Sequence, residues 1–256
     1  MITTLGWFGY DMSNKEWFNL LRQAGFDGVI LWWNDEFGDT NFHSNPIMAR
    51  DAGLFVENIH ASFDKVSNLW LDNLDGNAQL DYFLGLIDDC AKYQIPAMVM
   101  HLTCGINPPP YNELGLDRVK LLVEKAEKNE VNLAFENLST TKHLEYVLNR
   151  IDSPRAGFCY DSGHHHCWTP KGDFLAQYGS RLMSLHLHDN DGTDDHHLLP
   201  LDGNIDWPAT MSKIKKTGYT GPIAMEVVNT GYKDLPPEEF LRLLYERAKK
   251  LEVLMQ

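Results

Sequence analysis

Residues able to hold a cation or move a proton stand at the ends of six short apolar runs: His60, His101, Glu136, Asp161, His186 with His188, and Glu226. Imidazole and carboxylate are the side chains that ligate first-row divalent metals and that serve as general acids and bases near neutral pH. Taken singly, each reads as a hydrogen-bonded structural histidine or a carboxylate anchoring a loop or helix. Taken together, they point to one centre, provided the runs lie side by side. Gathering that many carboxylates in one place costs on the order of several kcal/mol each unless cations neutralise them, so a bound metal is the simplest explanation.

Two stretches add candidates. After His186-Leu187-His188-Asp189-Asn190 comes Asp194-Asp195-His196-His197, in which Asp195 and His197 are spaced to face one side of an extended loop and chelate together. In Asp161-Ser162-Gly163-His164, the glycine is expected to let a loop turn back so that His164 faces the same place. His165, His166 and His196 suit surface or outer roles. A donor set of imidazole and carboxylate without thiolate suits Zn²⁺ or Mn²⁺, with Fe²⁺, Co²⁺ or Mg²⁺ as alternatives.

The runs that must position these groups number eight: Ile2 to Gly6, Asp27 to Leu31, Leu54 to His60, Pro96 to His101, Val131 to Glu136, Ala156 to Asp161, Leu182 to His188 and Pro222 to Val227. Segments of helical period alternate with them: Asn14 to Ala24, Pro46 to Ala52, Ala78 to Tyr93, Leu116 to Asn129, Thr141 to Asn149, Gly172 to Tyr178, Pro208 to Lys216 and Pro237 to Leu251. Ser13 with Glu16 makes a capping box, and Gly25 and Gly218 stand where helices stop. Eight such βα units predict a single (β/α)₈ TIM barrel over residues 1–256, in which functional groups emerge at the C-terminal strand ends.

Composition narrows the function classes. A net charge of −14 repels polyanions, and no basic patch offsets it, so a nucleic-acid partner is not expected. Cys90, Cys104, Cys159 and Cys167 form no CxxC pair and read as reduced thiols, with Cys104 and Cys167 as packing or pocket-wall residues. With neither a leader-like start nor an apolar stretch long enough to span a bilayer, the expectation is a cytoplasmic protein without a membrane partner. Aromatics on helix-facing segments suggest a homodimer.

The ordered set His60-Ala61-Ser62-Phe63, Phe135-Glu136-Asn137, Tyr160-Asp161-Ser162-Gly163-His164, His186-Leu187-His188-Asp189-Asn190, Asp195-His196-His197 with Gly203-Asn204-Ile205, and Met225-Glu226 resembles the xylose isomerase-like TIM-barrel superfamily. That group includes sugar-phosphate isomerases and epimerases as well as endonuclease IV. Resemblance to its ketose 3-epimerase branch implies one metal held by Glu136, Asp161, His186 and Glu226, the two glutamates acting as acid and base on opposite faces of the substrate and His164 contacting it. Resemblance to the endonuclease IV branch implies three zinc ions on His60, His101, Glu136, Asp161, His164, His186, Asp195, His197 and Glu226, in a multinuclear phosphoesterase.

Against the second branch stand the acidic and aromatic loop Trp32-Trp33-Asn34-Asp35-Glu36-Phe37-Gly38-Asp39 and the net charge. Against a phosphorylated substrate in the first stands the stretch from Asn190 to Asp206, which contains no Arg or Lys; only Lys65, Lys142 and Lys233 lie just past strand ends. Trp32, Trp33, Phe63, Trp70 and Trp168 suit the apolar faces of a sugar, although core packing explains them equally well. The expectation is a metal-dependent isomerase or epimerase that moves a proton on a small free sugar, polyol or keto-acid sugar derivative through an enediolate. A sugar-binding barrel with a vestigial site is the non-enzymatic alternative.

Overall fold

The computed structural model describes residues 1–34, 41–105 and 107–255. Eight parallel strands run β1 (Ile2–Leu5), β2 (Gly28–Trp33), β3 (Phe55–Ala61), β4 (Ala97–Met100), β5 (Asn132–Glu136), β6 (Ala156–Asp161), β7 (Leu182–His186) and β8 (Ile223–Met225). Each pairs with its sequence neighbour, and β1 also pairs with β8. The ring closes between β7 and β8 through a bridge from Leu187 to Met225, with the Leu187 amide donating to the Ala224 carbonyl at 2.9 Å. This is a (β/α)₈ TIM barrel. The Asp35 to Asp39 part of the acidic loop lies outside the described residues.

Nine α-helices among the described residues cover the outside: α1 (Asn14–Ala24), α2 (Asn45–Asp51), α3 (Leu74–Lys92), α4 (Glu113–Asn129), α5 (Lys142–Leu148), α6 (Ser162–Trp168), α7 (Phe174–Tyr178), α8 (Trp207–Lys216) and α9 (Pro237–Leu254). The Ser13 and Glu16 capping box starts α1, and Gly25, at φ 107°, ends it in a conformation open to glycine. No helix among the described residues is long and apolar enough to cross a membrane.

One expectation fails at α6. Asp161-Ser162-Gly163-His164, read as a loop turning back at Gly163, instead opens a helix over Ser162–Trp168 capped by the Asp161 side chain, which accepts the His164 amide at 2.6 Å. Gly163 serves a different need from a turn. A Cβ there would stand 1.9 Å from Cε1 of His188, so only glycine leaves room for that ring.

Strand alternation explains how the ligand candidates reach one rim. On β3 to β8 each stands two residues beyond an interior position: Asn58 below His60, Val99 below His101, Ala134 below Glu136, Cys159 below Asp161, Ser184 below His186 and Ala224 below Glu226. The lower positions are small or medium-sized, and Val99, Ala134 and Cys159 form a buried cluster separate from the large core between barrel and helices. A floor of that kind supports polar side chains above it without filling their space.

Beside that floor lies a carboxyl group. In the β2/β3 register Val29 pairs with Val56 and Ile30 with Asn58, so Glu57 is the extra residue of a bulge. Its side chain accepts from the Thr3 hydroxyl and, at 3.4 Å, from the Ser184 hydroxyl. Burial pushes its pKa from 4.5 up to about 7, against the lowering effect of these hydroxyls and of His186. An acid whose pKa rises on folding contributes fully below its unfolded pKa, and that contribution drains away as pH climbs through the folded value. A shift of this size is worth about 3 kcal/mol. Chemical denaturation of Glu57→Gln and the wild type should therefore show the difference in stability moving in favour of Gln by about 3 kcal/mol between pH 4.5 and pH 8; a difference that stays constant with pH would contradict a buried protonated Glu57.

Candidate metal centre and active site

Glu136, the last residue of β5, is the hub. It is 2% exposed, and four imidazoles surround its carboxylate. Oε2 lies 3.3 Å from His60 Nε2, 3.4 Å from His101 Nε2 and 3.2 Å from His186 Nδ1, while Oε1 lies 2.9 Å from His164 Nδ1. Glu226, just past β8, places Oε2 3.2 Å from the same His186 Nδ1. Asp161 and His186 are partners in the β6/β7 register, which sets them side by side. Donor atoms of Glu136, Asp161, His186 and Glu226 all fall within 4.8 Å of one another.

A second group adjoins the first. Asp195 Oδ2 is 3.2 Å from His164 Nε2 and 3.1 Å from His197 Nε2, so the i, i+2 pair does face one way and His164 joins it. The loop carrying them is anchored by Asp189, a fully buried carboxylate that accepts the amides of Asn190 at 3.0 Å, Leu201 at 2.9 Å and Ile205 at 3.2 Å, and Trp207 Nε1 at 2.7 Å. Asn137 ties β5 to β6 by exchanging side-chain hydrogen bonds with both backbone groups of Asp161, each 2.9 Å.

Ring stacking holds the imidazoles in place. Trp32 pairs with His60 across β2 and β3 and lies over it at 4.8 Å and 19°. Trp168 follows His164 by one helical turn and stacks at 4.5 Å and 17°. Phe63 covers His101 at 5.0 Å and 11°, and His188 covers His197 at 4.0 Å and 14°. Hydrogen bonds fix the rings further: Nδ1 of His60 bonds to the Ala61 carbonyl at 2.9 Å and Nδ1 of His197 to the Glu226 carbonyl at 2.8 Å, which turns each Nε2 toward the carboxylates.

The electrostatics follow from this packing. Burial pushes the Glu136 carboxyl up, but His101, His186 and His164 outweigh it and hold the group well below the usual range. Burial likewise opposes ionisation of Glu226 and Asp195, and is overcome by His186 in the first case and by His164 and His197 in the second. In return, although burial disfavours their charge, Asp161, Asp195 and Glu136 raise His164 well above 6.5, Cys159 together with Glu226 and Glu136 raises His186 well above it, and Asp195, Glu226 and Asp161 raise His197 to about 9. His101 is lowered, because burial outweighs Glu136 there.

A divalent cation fits this donor set. Both carboxylate oxygens of Glu136, both ring nitrogens of His186, Oε2 of Glu226 and Oδ1 of Asp195 are buried without a hydrogen-bond partner. The 3.2–3.4 Å spacings around Glu136 Oε2 and His186 Nδ1 match those of donors sharing one ion at bond lengths of about 2.1 Å. Cys159 Sγ also lies close to Glu136 and His186, but burial raises its pKa to about 12 and keeps it a thiol.

Above the cluster opens a cavity of about 320 Å³ with Trp7, Trp32, Phe63, Leu138, Trp168 and Val228 in its walls. Of the aromatics singled out from sequence, Trp32, Phe63 and Trp168 line it, whereas Trp33 and Trp70 are buried in the core and donate to Asp89 and to the Leu102 carbonyl. Cys104 is a wall residue as expected, and Trp7 is a wall residue that sequence reading missed. His165 bonds to Tyr160 and the Gly172 carbonyl and His166 to Asn204, both away from the carboxylates. Lys65, Lys142 and Lys233 are absent from the lining, and among the described residues no Lys or Arg contributes to it.

Comparison with known proteins agrees with this fold. A family model described as xylose isomerase-like TIM barrel matches residues 18–248. The uncharacterized protein y4fM of Sinorhizobium fredii is 29% identical, covering 96% of this chain and 91% of its own. Inosose isomerase of Bacillus subtilis is 24% identical over 71% of this chain and 70% of its own. Among solved structures, D-psicose 3-epimerase from Clostridium cellulolyticum H10, with D-tagatose, superposes with a TM-score of 0.81 at 14% identity over the whole of both chains. The IOLI protein with a bound zinc atom superposes at 0.80 and 16% identity over 98% of each chain. These last two likenesses are of fold. By the match of the family model over most of its length, the chain belongs to the xylose isomerase-like TIM barrel family.

Proposed function

We propose that this protein is a metal-dependent isomerase or epimerase of a small, uncharged carbohydrate or carbohydrate derivative. The observation that carries the reading is the convergence of Glu136 and Glu226 on one nitrogen of His186, at 3.2 Å each, beneath a cavity with aromatic walls and, among the described residues, no Lys or Arg. The isomerase and epimerase relatives support the reaction class, and the zinc-bound IOLI structure supports the metal. With no Lys or Arg in the wall among the described residues, a phosphate or carboxylate on the substrate would lack a guanidinium or ammonium partner, which favours a free sugar or polyol derivative.

When bound, the divalent ion supplies Lewis acidity to a substrate carbonyl and its neighbouring hydroxyl, lowering the cost of an enediolate. Glu136 and Glu226 come from well-separated parts of the barrel wall and both stay ionised beside His186, so each is ready to accept a proton. One takes a proton from carbon, and the other, having first taken up a proton from water, returns it at the opposite face or the adjacent carbon, after which the first gives its proton back to water. His164 orients a hydroxyl, and Trp32, Phe63 and Trp168 exclude water while covering the C–H faces of the sugar.

One observation favours a second reading: His60 and His101 reach Glu136 while His164 and His197 meet on Asp195, completing the larger donor set of an endonuclease IV-like phosphoesterase. The absence of Lys and Arg from the wall, among the described residues, weighs against it. Nicking of an abasic-site duplex by zinc-loaded protein would establish the phosphoesterase, and the isomerase reading predicts none.

Incubating manganese- or zinc-loaded protein with free ketohexoses and inososes in D₂O should place solvent deuterium on substrate carbon. Glu136→Gln and Glu226→Gln should each slow that exchange at least about a hundredfold while keeping the native circular dichroism; no exchange with any of these compounds, or near-normal exchange in both variants, would dismiss the assignment. Since His164, His186 and His197 carry protons at pH 7 before a metal enters, zinc binding should release at least about one proton per ion at that pH, and affinity should rise with pH through about 9. Calorimetry in buffers of different ionisation enthalpy checks this, and binding without proton release would contradict the charge state derived above.

A further inference from the structure

We infer that His188 is a positioning residue that fixes the ligating carboxylate of Asp161 and couples it to the neighbouring Asp195 and His197. This rests on the proposal that Asp161 binds a metal, and it concerns a residue outside the ligand sets described above. Strand alternation puts His188 on the interior side together with His186, and it is 0% exposed. Its Nε2 stands 3.1 Å from both carboxylate oxygens of Asp161 and 3.6 Å from Asp195 Oδ1, so a single N–H faces the carboxylates of both groups.

The fold spends a good deal on this ring. Gly163 is a glycine inside a helix, and any larger residue would press on His188 Cε1. The Ser162 hydroxyl donates to the His188 carbonyl at 2.8 Å and accepts its amide at 3.1 Å, which locks the backbone of residue 188 to the start of α6. The ring lies flat on His197 at 4.0 Å, so a shift of either imidazole moves the other. Asp161 Oδ1 already accepts the His164 amide, and His188 is thus the side chain that sets the direction of the remaining oxygen, Oδ2. A ligating carboxylate whose outer hydrogen bond is removed loses orientation, and losses of about 10–100-fold in metal affinity follow from such changes.

The test uses Co²⁺ alone as probe, with no substrate. His188→Leu removes the donor at similar volume, His188→Gln keeps an N–H near the Nε2 position, and Gly163→Ala displaces the ring from outside. His188→Leu and Gly163→Ala should weaken Co²⁺ binding at least about tenfold and shift the visible d–d bands, with His188→Gln restoring both. X-ray absorption should count the same number of imidazoles around the ion in wild type and His188→Gln. Wild-type affinity and spectrum in a folded His188→Leu protein would overturn the inference; so would one imidazole fewer in His188→Gln, which would make His188 a ligand. If His188→Leu fails to fold, the Gln and Ala variants decide alone: the inference is overturned unless Gln matches wild type and Ala is weakened. Failure of the wild type to bind Co²⁺ at all would refute the metal reading itself, a result distinct from any difference among the variants.

Discussion

A carboxylate almost wholly removed from water and touched by four imidazoles is a costly arrangement, and the organisation of this barrel's mouth follows from keeping Glu136 in that state. Its charge survives burial only because the surrounding rings carry compensating charge or yield to a cation. The rings in turn are held by stacked aromatics and by backbone carbonyls, so they cannot turn away to relieve the crowding. The oxygens of Glu136 and nitrogens of His186 that lack a hydrogen-bond partner are the residue of that constraint, and of these Glu136 Oε2 and His186 Nδ1 stand 3.2 Å apart within the cluster.

The barrel makes such a convergence possible at little cost in fold. Alternation along each strand gives an interior column in which a small floor residue supports a polar one at the rim, and closure between β7 and β8 brings Glu226 beside His186. The loop after β7 is anchored by Asp189, whose carboxylate gathers three amides and an indole. Asp195 and His197 therefore approach His164 from a fixed scaffold.

Much of this was legible in the sequence because parallel strands buried on both faces stand out as apolar runs, and because ligand-type residues interrupt those runs at their ends. The boundaries of α1 were readable from Ser13, Glu16 and Gly25, whose cap geometry is local. What escaped depended on contacts distant in sequence. The helix at 162–168 was hidden because Ser-Gly-His-His-His has weak helix propensity, and it is the cap from Asp161 and the lock between Ser162 and residue 188 that hold it. Gly163 looked like a turn residue when its reason was the His188 ring. Trp33 and Trp70 could not be told from wall residues, since nothing in their local pattern reveals the acceptors at Asp89 and Leu102. Trp7 gave no signal at all, and His188 was legible as an imidazole at the end of the seventh run beside His186, whereas its contact with Asp161 was not.

These features describe a site that gathers imidazole and carboxylate groups beneath a wall with aromatic side chains and, among the described residues, no Lys or Arg, a combination suited to polarising a neutral carbonyl compound. The most direct test of the central claim is anomalous diffraction above and below the zinc absorption edge from crystals of zinc-loaded protein. The account predicts a peak enclosed by Glu136, Asp161, His186 and Glu226. An anomalous map with no ion among these four residues, or with zinc bound only elsewhere on the molecule, would contradict it.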